Sequence, residues 1–341
     1  MYDALLLVSF GGPEAPDEVM PFLENVLRGK NVPRERMLEV AEHYQHFGGV
    51  SPINEQNRQL IAALKDDFAA NGVELPIYWG NRNWHPLLPD ALTQMKQDGV
   101  KRALAFFTSA FSSYSGCRQY RENIADAQQE VGDGAPEVHK LRMFFNHPGF
   151  VEPMAENVRN AYASIDEERR AEAKLLFTAH SIPMSMAENC KYELQLNEAC
   201  RLVAEQAGVG AWELVYQSRS GPPMQPWLEP DVCDHLRELK SQQPELNDVV
   251  IVPIGFTSDH LEVLFDLDTE AKQVGEELGV NVVRAATVGT HPRFVAMIRE
   301  LVLERMQPEC ERLALGELGP SHDVCPEDCC RYTPRRPPVA S

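Results

Sequence analysis

The stretch VPIGFTSDHLEVLFDLDTE, from Val252 to Glu270, passes from a short apolar strand through Gly255 into an acidic helix. A strand that ends in a glycine corner and feeds a helix is the repeating unit of a parallel sheet. The same join recurs three times upstream. Residues 4–10 run into Gly11-Gly12-Pro13, residues 102–108 into Ser109 and Ser112-Ser113, and residues 174–178 into His180-Ser181. Further strands are expected at 75–79, 214–217 and 282–285. Helical patterns lie between them at 53–71, 89–99, 153–170, 187–207, 230–240, 261–278 and 292–306. The fold class is therefore α/β, with parallel sheets flanked by helices on both faces. The order of strands in the first half is echoed in the second. This predicts two similar Rossmann-like domains, residues 1–150 and 151–310, joined where His147-Pro148-Gly149 breaks the pattern. Residues 311–341 form a cysteine-rich tail. No dinucleotide fingerprint is present, because Gly11-Gly12-Pro13 lacks the third glycine and its proline has no N–H to offer a phosphate.

The composition narrows the function. With 51 acidic against 32 basic residues, the 341-residue chain carries a net charge of −19. That charge disfavours nucleic acid and anionic membrane as partners and suits a small cation. No apolar run approaches the roughly 18 residues of a spanning helix. The start, Met1-Tyr2-Asp3 followed by an apolar strand, lacks the basic region of a secretory signal, which points to the cytoplasm. Eight cysteines without such a signal do not suggest a disulfide framework.

In open α/β sheets, ligands sit beyond the carboxyl ends of the strands. Phe10, Ser109, His180 and the Gly255 corner all fall at such ends and can converge on one cleft. His180 closes a buried strand within Thr178-Ala179-His180-Ser181-Ile182-Pro183, where a neutral imidazole can bind a metal, accept a proton or cap the next helix. No G-x-S-x-G surrounds Ser181, so hydrolase chemistry is the weaker alternative. Glu262, Asp266 and Glu270 recur every four residues and form one carboxylate row on a helix. Such a row is either a solvated acidic face or a track for a cation. One histidine and one glutamate make a poor permanent cage, which suits an ion that arrives, loses water and leaves.

Four motifs carry a family resemblance along the chain to about residue 310. They are Leu7-Val8-Ser9-Phe10-Gly11-Gly12-Pro13, Gly48-Gly49-Val50-Ser51-Pro52-Ile53, the His180 segment, and Gly255-Phe256-Thr257-Ser258-Asp259-His260-Leu261-Glu262. In this order and spacing the sequence resembles a ferrochelatase. The resemblance implies chelatase-type domains and an enzyme that inserts Fe²⁺ into a porphyrin, with His180 and Glu262 on opposite sides of the macrocycle. It also implies an iron route along Glu262, Asp266 and Glu270. Substrate contacts carry over onto Arg28, Ser51 and Tyr120, while Phe10 falls where relatives place a tyrosine and so only packs against the ring. Arg82 is either a propionate anchor or a bridge to acidic neighbours. The compact N-terminus and the Ser9-Phe10-Gly11-Gly12-Pro13 opening resemble the actinobacterial branch, whose substrate is coproporphyrin III. Protoporphyrin IX, or a porphyrin or heme carrier without catalysis, is the alternative. A monomer with at most transient contacts to heme-pathway enzymes is expected.

Cys325-Pro326-Glu327-Asp328-Cys329-Cys330 is spaced too closely for half of a zinc ribbon. Many ferrochelatases hold a [2Fe–2S] cluster on tail cysteines plus one from the body. By position, Cys117 matches the internal ligand and Cys310 is the second candidate. The alternative is a loose, metal-free tail. Residues 331–341 are proline-rich and basic, the composition of a disordered end.

Overall fold

The computed structural model describes residues 1–29, 32–222, 224–307 and 309–332. Its first sheet contains β1 (Ala4–Ser9), β2 (Ile77–Asn81), β3 (Arg102–Phe107) and β4 (Glu137–Lys140) in the order β2-β1-β3-β4. The second contains β5 (Lys174–His180), β6 (Glu213–Gln217), β7 (Asp248–Val252) and β8 (Asn281–Arg284) in the order β6-β5-β7-β8. Every pairing is parallel. One topology is thus used twice, and in each sheet the chain reverses its direction of winding beside the first strand. That crevice is where open α/β sheets place their ligands.

The strands are buried on both faces, and their side chains alternate between two cores. Leu5 and Leu7 of β1 point into a large central core, while Ala4, Leu6 and Val8 point into an outer one. In β5, Leu175, Phe177 and Ala179 face the same central core and Leu176 faces the opposite side. The inner faces of both sheets therefore share one continuous hydrophobic core. The helix Pro292–Met306 lies across it, starting where the sequence pattern placed it. Phe294 packs on Phe106 and Phe144 with ring centroids 6.2 and 5.9 Å apart, and Arg299 pairs with Asp67 at 2.8 Å. Nearby, Arg142 and Glu304 form a buried ion pair at 2.7 Å, and Arg142 also donates to the Leu313 carbonyl. No helix among the described residues is long and apolar enough to cross a membrane.

Several elements differ from the sequence expectation. The helix expected at 153–170 is Pro148–Ala163, because His147 caps it by accepting from the Gly149 N–H and Pro148 fits its first turn. Pro153 lies inside it rather than at its start. The strand β4 and the helices Val19–Val26, Arg34–His46 and Gln119–Val131 had no expected counterpart. The helix expected over 261–278 is interrupted, with residues Leu264–Ala271 wound as a π-helix between two α-helical pieces.

Candidate active site

His180 is the last residue of β5, and its backbone is fixed from several sides. It pairs in register with Gln217, the Tyr192 hydroxyl donates to its carbonyl at 3.1 Å, and the next N–H, of Ser181, donates to Gln217 O at 2.8 Å. Its ring Nδ1 lies against the Ser181 carbonyl oxygen, an acceptor only, so that nitrogen carries the hydrogen. The Nε2 lone pair is then free and points toward Glu262. The ring is about one-third exposed, so Nε2 is open to an incoming ligand.

Glu262 reaches His180 because Gly255 allows two backbones to meet. A Cβ on Gly255 would stand 2.8 Å from both Cα and Cβ of Ala179, and the Gly255 N–H donates to Thr178 O at 3.0 Å. Only glycine permits this approach. The following loop then delivers Glu262 Oε2 to 4.0 Å from His180 Nε2. The same carboxylate oxygen is 4.0 Å from His260 Nδ1. His260 stands edge-on to Phe256, with centroids 5.0 Å apart, and burial lowers its pKa. Glu262 therefore sits between two imidazoles. The sequence places His260 with Glu262 at the strand-proximal end of the carboxylate row.

The 4.0 Å gap also corrects one expectation. A flat ring in contact on both faces needs about 7 Å between the flanking groups. In this structure no macrocycle fits between His180 and Glu262, and a flat ligand has access to the pair from one side only, where opposite sides were expected.

Asp266 and Glu270 continue from Glu262 along the π-helix, a winding frequent at functional sites. Burial raises the Asp266 pKa to about 7, although the Ser218 hydroxyl and the Gln217 amide donate to it, and the charges of Glu262 and Glu270 push it further up. Glu270 is raised as well, first by burial and then by Asp231. The carboxylates thus remain one interacting row despite the π-winding. Among the described residues no Lys or Arg pairs with Glu262, Asp266 or Glu270. Their neighbours Asp259 and Asp268 differ, being clamped together by Arg284 at 3.0 and 2.9 Å. Ser218 reaches Asp266 from a left-handed backbone with φ of 61°, a conformation uncommon for residues other than glycine. No sequence signal pointed to it.

The expected substrate contacts are divided between surface and interior. Phe10 is 38% exposed, stands edge-on to Phe22 and has the Arg82 guanidinium 5.7 Å from its centroid. Arg28 is exposed beyond the helix Val19–Val26. Ser51 is buried against Gly12, and its N–H donates to the Pro13 carbonyl. Tyr120 is buried beside Phe107, with Arg82 4.4 Å above its ring. Arg82 itself donates to Asn123 Oδ1 at 2.7 Å and lies near the Ser115 carbonyl.

A second site forms where the tail returns to the body. Cys117 is buried in the π-wound turn Tyr114–Arg118, with the Cys325 thiol close enough to perturb its own. Cys329 and Cys330 stand 3.6 Å apart, and His322 Nε2 is 3.9 Å from Cys329 Sγ. The Cys117 contact, helped by the nearby Lys140 and Arg121 charges, holds Cys325 well below the ordinary thiol range, while Cys117 is held well above it. The tail is not loose over its described residues. Arg118 donates to the Glu327 and Cys329 carbonyls at 2.8 and 3.0 Å, and Tyr332 packs on Tyr114. Cys310 lies apart, donating to Gln307. The expected disordered end beyond residue 332 falls outside the described residues.

The chain matches the ferrochelatase family over residues 2–306. It belongs to that family. It is an enzyme that inserts metal into a porphyrin in heme synthesis. Relatives cover the same ground. A protein of Rhodopirellula baltica named ferrochelatase is 68% identical over 339 residues, spanning 99% of this chain and 96% of that one. A Streptomyces coelicolor protein named coproporphyrin III ferrochelatase is 54% identical, again spanning 99% and 96%. Among solved structures, that of SirB from Bacillus subtilis with Fe³⁺ aligns with a TM-score of 0.55 at 12% identity, covering 91% of this chain and all of that one. A multi-domain chelatase-like protein of Deinococcus radiodurans aligns with a TM-score of 0.53 at 15% identity, covering 88% of this chain and 54% of that one. At such identities the likeness extends to the fold alone. That fold is the two-domain chelatase arrangement described above.

Proposed function

We propose that this ferrochelatase acts in the cytoplasm on coproporphyrin III, converting it with Fe²⁺ into coproheme and releasing two protons. The observation that carries the chemistry is His180 Nε2 and Glu262 Oε2 at 4.0 Å beyond the strand ends, continued by the carboxylate row of Asp266 and Glu270. A free-base porphyrin must lose its two pyrrole protons as the metal enters. His180 Nε2, with its lone pair free, accepts them one at a time, giving the first up to solvent before it takes the second, and Glu262 lies close enough to stabilise the imidazolium formed each time. Asp266 and Glu270 hold the arriving ion and replace part of its hydration. Phe10 packs against the ring, and Arg28 meets a propionate. Ser51 and Tyr120 act at the substrate from behind, by fixing the Gly12 loop and Arg82. The chain works as a monomer in two halves that divide near residue 150.

The choice of porphyrin is supported by the kinship with the Streptomyces coelicolor protein and by the opening around Phe10. Oxygen-free assays with Fe²⁺ and each porphyrin test it. Coproporphyrin III is expected to turn over faster, and a tenfold preference for protoporphyrin IX would overturn the assignment.

A [2Fe–2S] cluster fits the second site. Four cysteine thiolates are the ligand set of such clusters, and Cys117, Cys325, Cys329 and Cys330 converge there, with Lys140 and Arg121 to offset thiolate charge. When bound, the cluster supplies a cross-link between tail and body and a centre that responds to oxidation. The residues of the His180 site carry out metal insertion without it.

A further inference from the structure

We propose that the tail pocket has a second ligand set, His322, Cys325, Cys329 and Cys117, that binds a single tetrahedral divalent ion of the zinc class when no cluster is present. The donor atoms of His322, Cys325 and Cys329 all lie within 4.8 Å of one another. Zinc bonds of about 2.3 Å to sulfur and 2.0–2.1 Å to nitrogen give a tetrahedron with S···N edges of about 3.6 Å. The observed 3.9 Å between His322 Nε2 and Cys329 Sγ is close to that edge. Cys117, whose buried thiol is close enough to that of Cys325 for each to perturb the other, supplies the fourth donor.

His322 is held in place by its surroundings. Lys140 donates to its carbonyl at 3.3 Å, Arg312 donates to the carbonyl of the preceding Ser321 at 2.6 Å, and the following Asp323 pairs with Arg312 at 3.3 Å. Further back, Asn146 donates to the Gly319 carbonyl at 2.9 Å. The imidazole therefore reaches the thiols from an anchored backbone. Three thiolates and a neutral imidazole are a familiar structural zinc set. Arg121 and Lys140 lie close enough to compensate the net negative charge of the loaded site. Cys330 Sγ stands 3.6 Å from that of Cys329 but outside the group that Cys329 makes with His322 and Cys325, and it is left out of these donors. The cluster takes Cys330 and leaves His322 out, whereas the single ion takes His322 and leaves Cys330 out.

The test is a cobalt titration of the full chain, stripped of metal and reduced without oxygen. One Co²⁺ per chain should bring thiolate-to-cobalt charge transfer in the near ultraviolet and the visible bands of tetrahedral cobalt, all displaced by Zn²⁺. Ions held by the carboxylate row give no thiolate transition. His322→Ala should weaken binding at least about tenfold and change the visible bands. Cys330→Ser should leave titration and spectrum unchanged, and Cys329→Ser should abolish the charge transfer. An unchanged titration in H322A, or a loss in C330S equal to that in C329S, overturns the proposal. Acid-labile sulfide is measured on the anaerobically isolated wild type and H322A. Its absence from the wild type defeats the cluster but leaves the cobalt result to stand or fall by itself. Its retention in H322A shows that the variant folds.

Discussion

His180 Nε2 and Glu262 Oε2 face each other at 4.0 Å, too far for a hydrogen bond and too near for a porphyrin to pass between them. A flat macrocycle can therefore reach the pair from one side only. His180→Ala should lower metal insertion by about 10²- to 10⁴-fold, the usual range for loss of a positioned base. Porphyrin affinity, followed by absorbance titration, should change little because the ring is held by other groups. A variant with near-normal turnover would move the base elsewhere, and one that also lost porphyrin binding would make His180 a binding residue.

Asp266 and Glu270 lie further along the row than Glu262. In D266N/E270Q the apparent KM for Fe²⁺ should rise several-fold at saturating porphyrin, with kcat nearly unchanged, as expected when delivery rather than chemistry is weakened. An unchanged iron KM would return both residues to a solvated helix face. A fall in kcat alone would place them in the chemical step.

The raised pKa of Asp266 has a consequence for stability. Its value of about 7 in the folded chain exceeds the ordinary 3.8, so between these limits the folded state binds more protons than the unfolded one. Stability from this group is complete below about pH 4 and is lost as pH rises toward 7. Asp266→Asn removes the titration. Urea unfolding from pH 4 to 8 should therefore show a decline in the wild type that is shallower in D266N. Equal slopes in the two proteins would mean that Asp266 is not protonated in the fold.

The tail gives a prediction independent of turnover. Isolated without oxygen, the protein should be reddish-brown, with about two irons and two labile sulfides per chain. Cys117→Ser, Cys329→Ser and Cys330→Ser should each bleach it, while Cys310→Ser should not, since Cys310 is bonded to Gln307 away from the other thiols. Full colour in C117S would transfer the internal ligand to another cysteine.

Much of the fold was legible because its signals are local. Buried parallel strands read as apolar runs, and β1, β3, β5 and β7 were found by that means. The edge strand β4, Glu-Val-His-Lys, was not, because only one of its four residues is hydrophobic. The helix Arg34–His46 escaped for a similar reason, with only Ala41 and Tyr44 buried along its length. Within the site, His180 and Glu262 stood out by residue type and by their positions after strands. Their separation did not, because it depends on Gly255 meeting Ala179 across the sheet. Ser218 was invisible for the same kind of reason, since Asp266 returns to it across 48 residues of chain. His322 is only seven residues from Cys329, and its part depends on how the tail folds on itself.

The helix Pro292–Met306 closes a core that begins at Leu5, and this sets the timing of folding during synthesis. Phe106 and Phe144 leave the ribosome well before Phe294, which covers both. At about 5–20 residues per second, the roughly 150 intervening residues take about 8 to 30 s to make. For that interval the first sheet is complete in sequence yet keeps an apolar face without its cover. Nascent chains of this enzyme should accordingly be good clients for chaperones that bind exposed aromatic surface, until the last long helix has emerged.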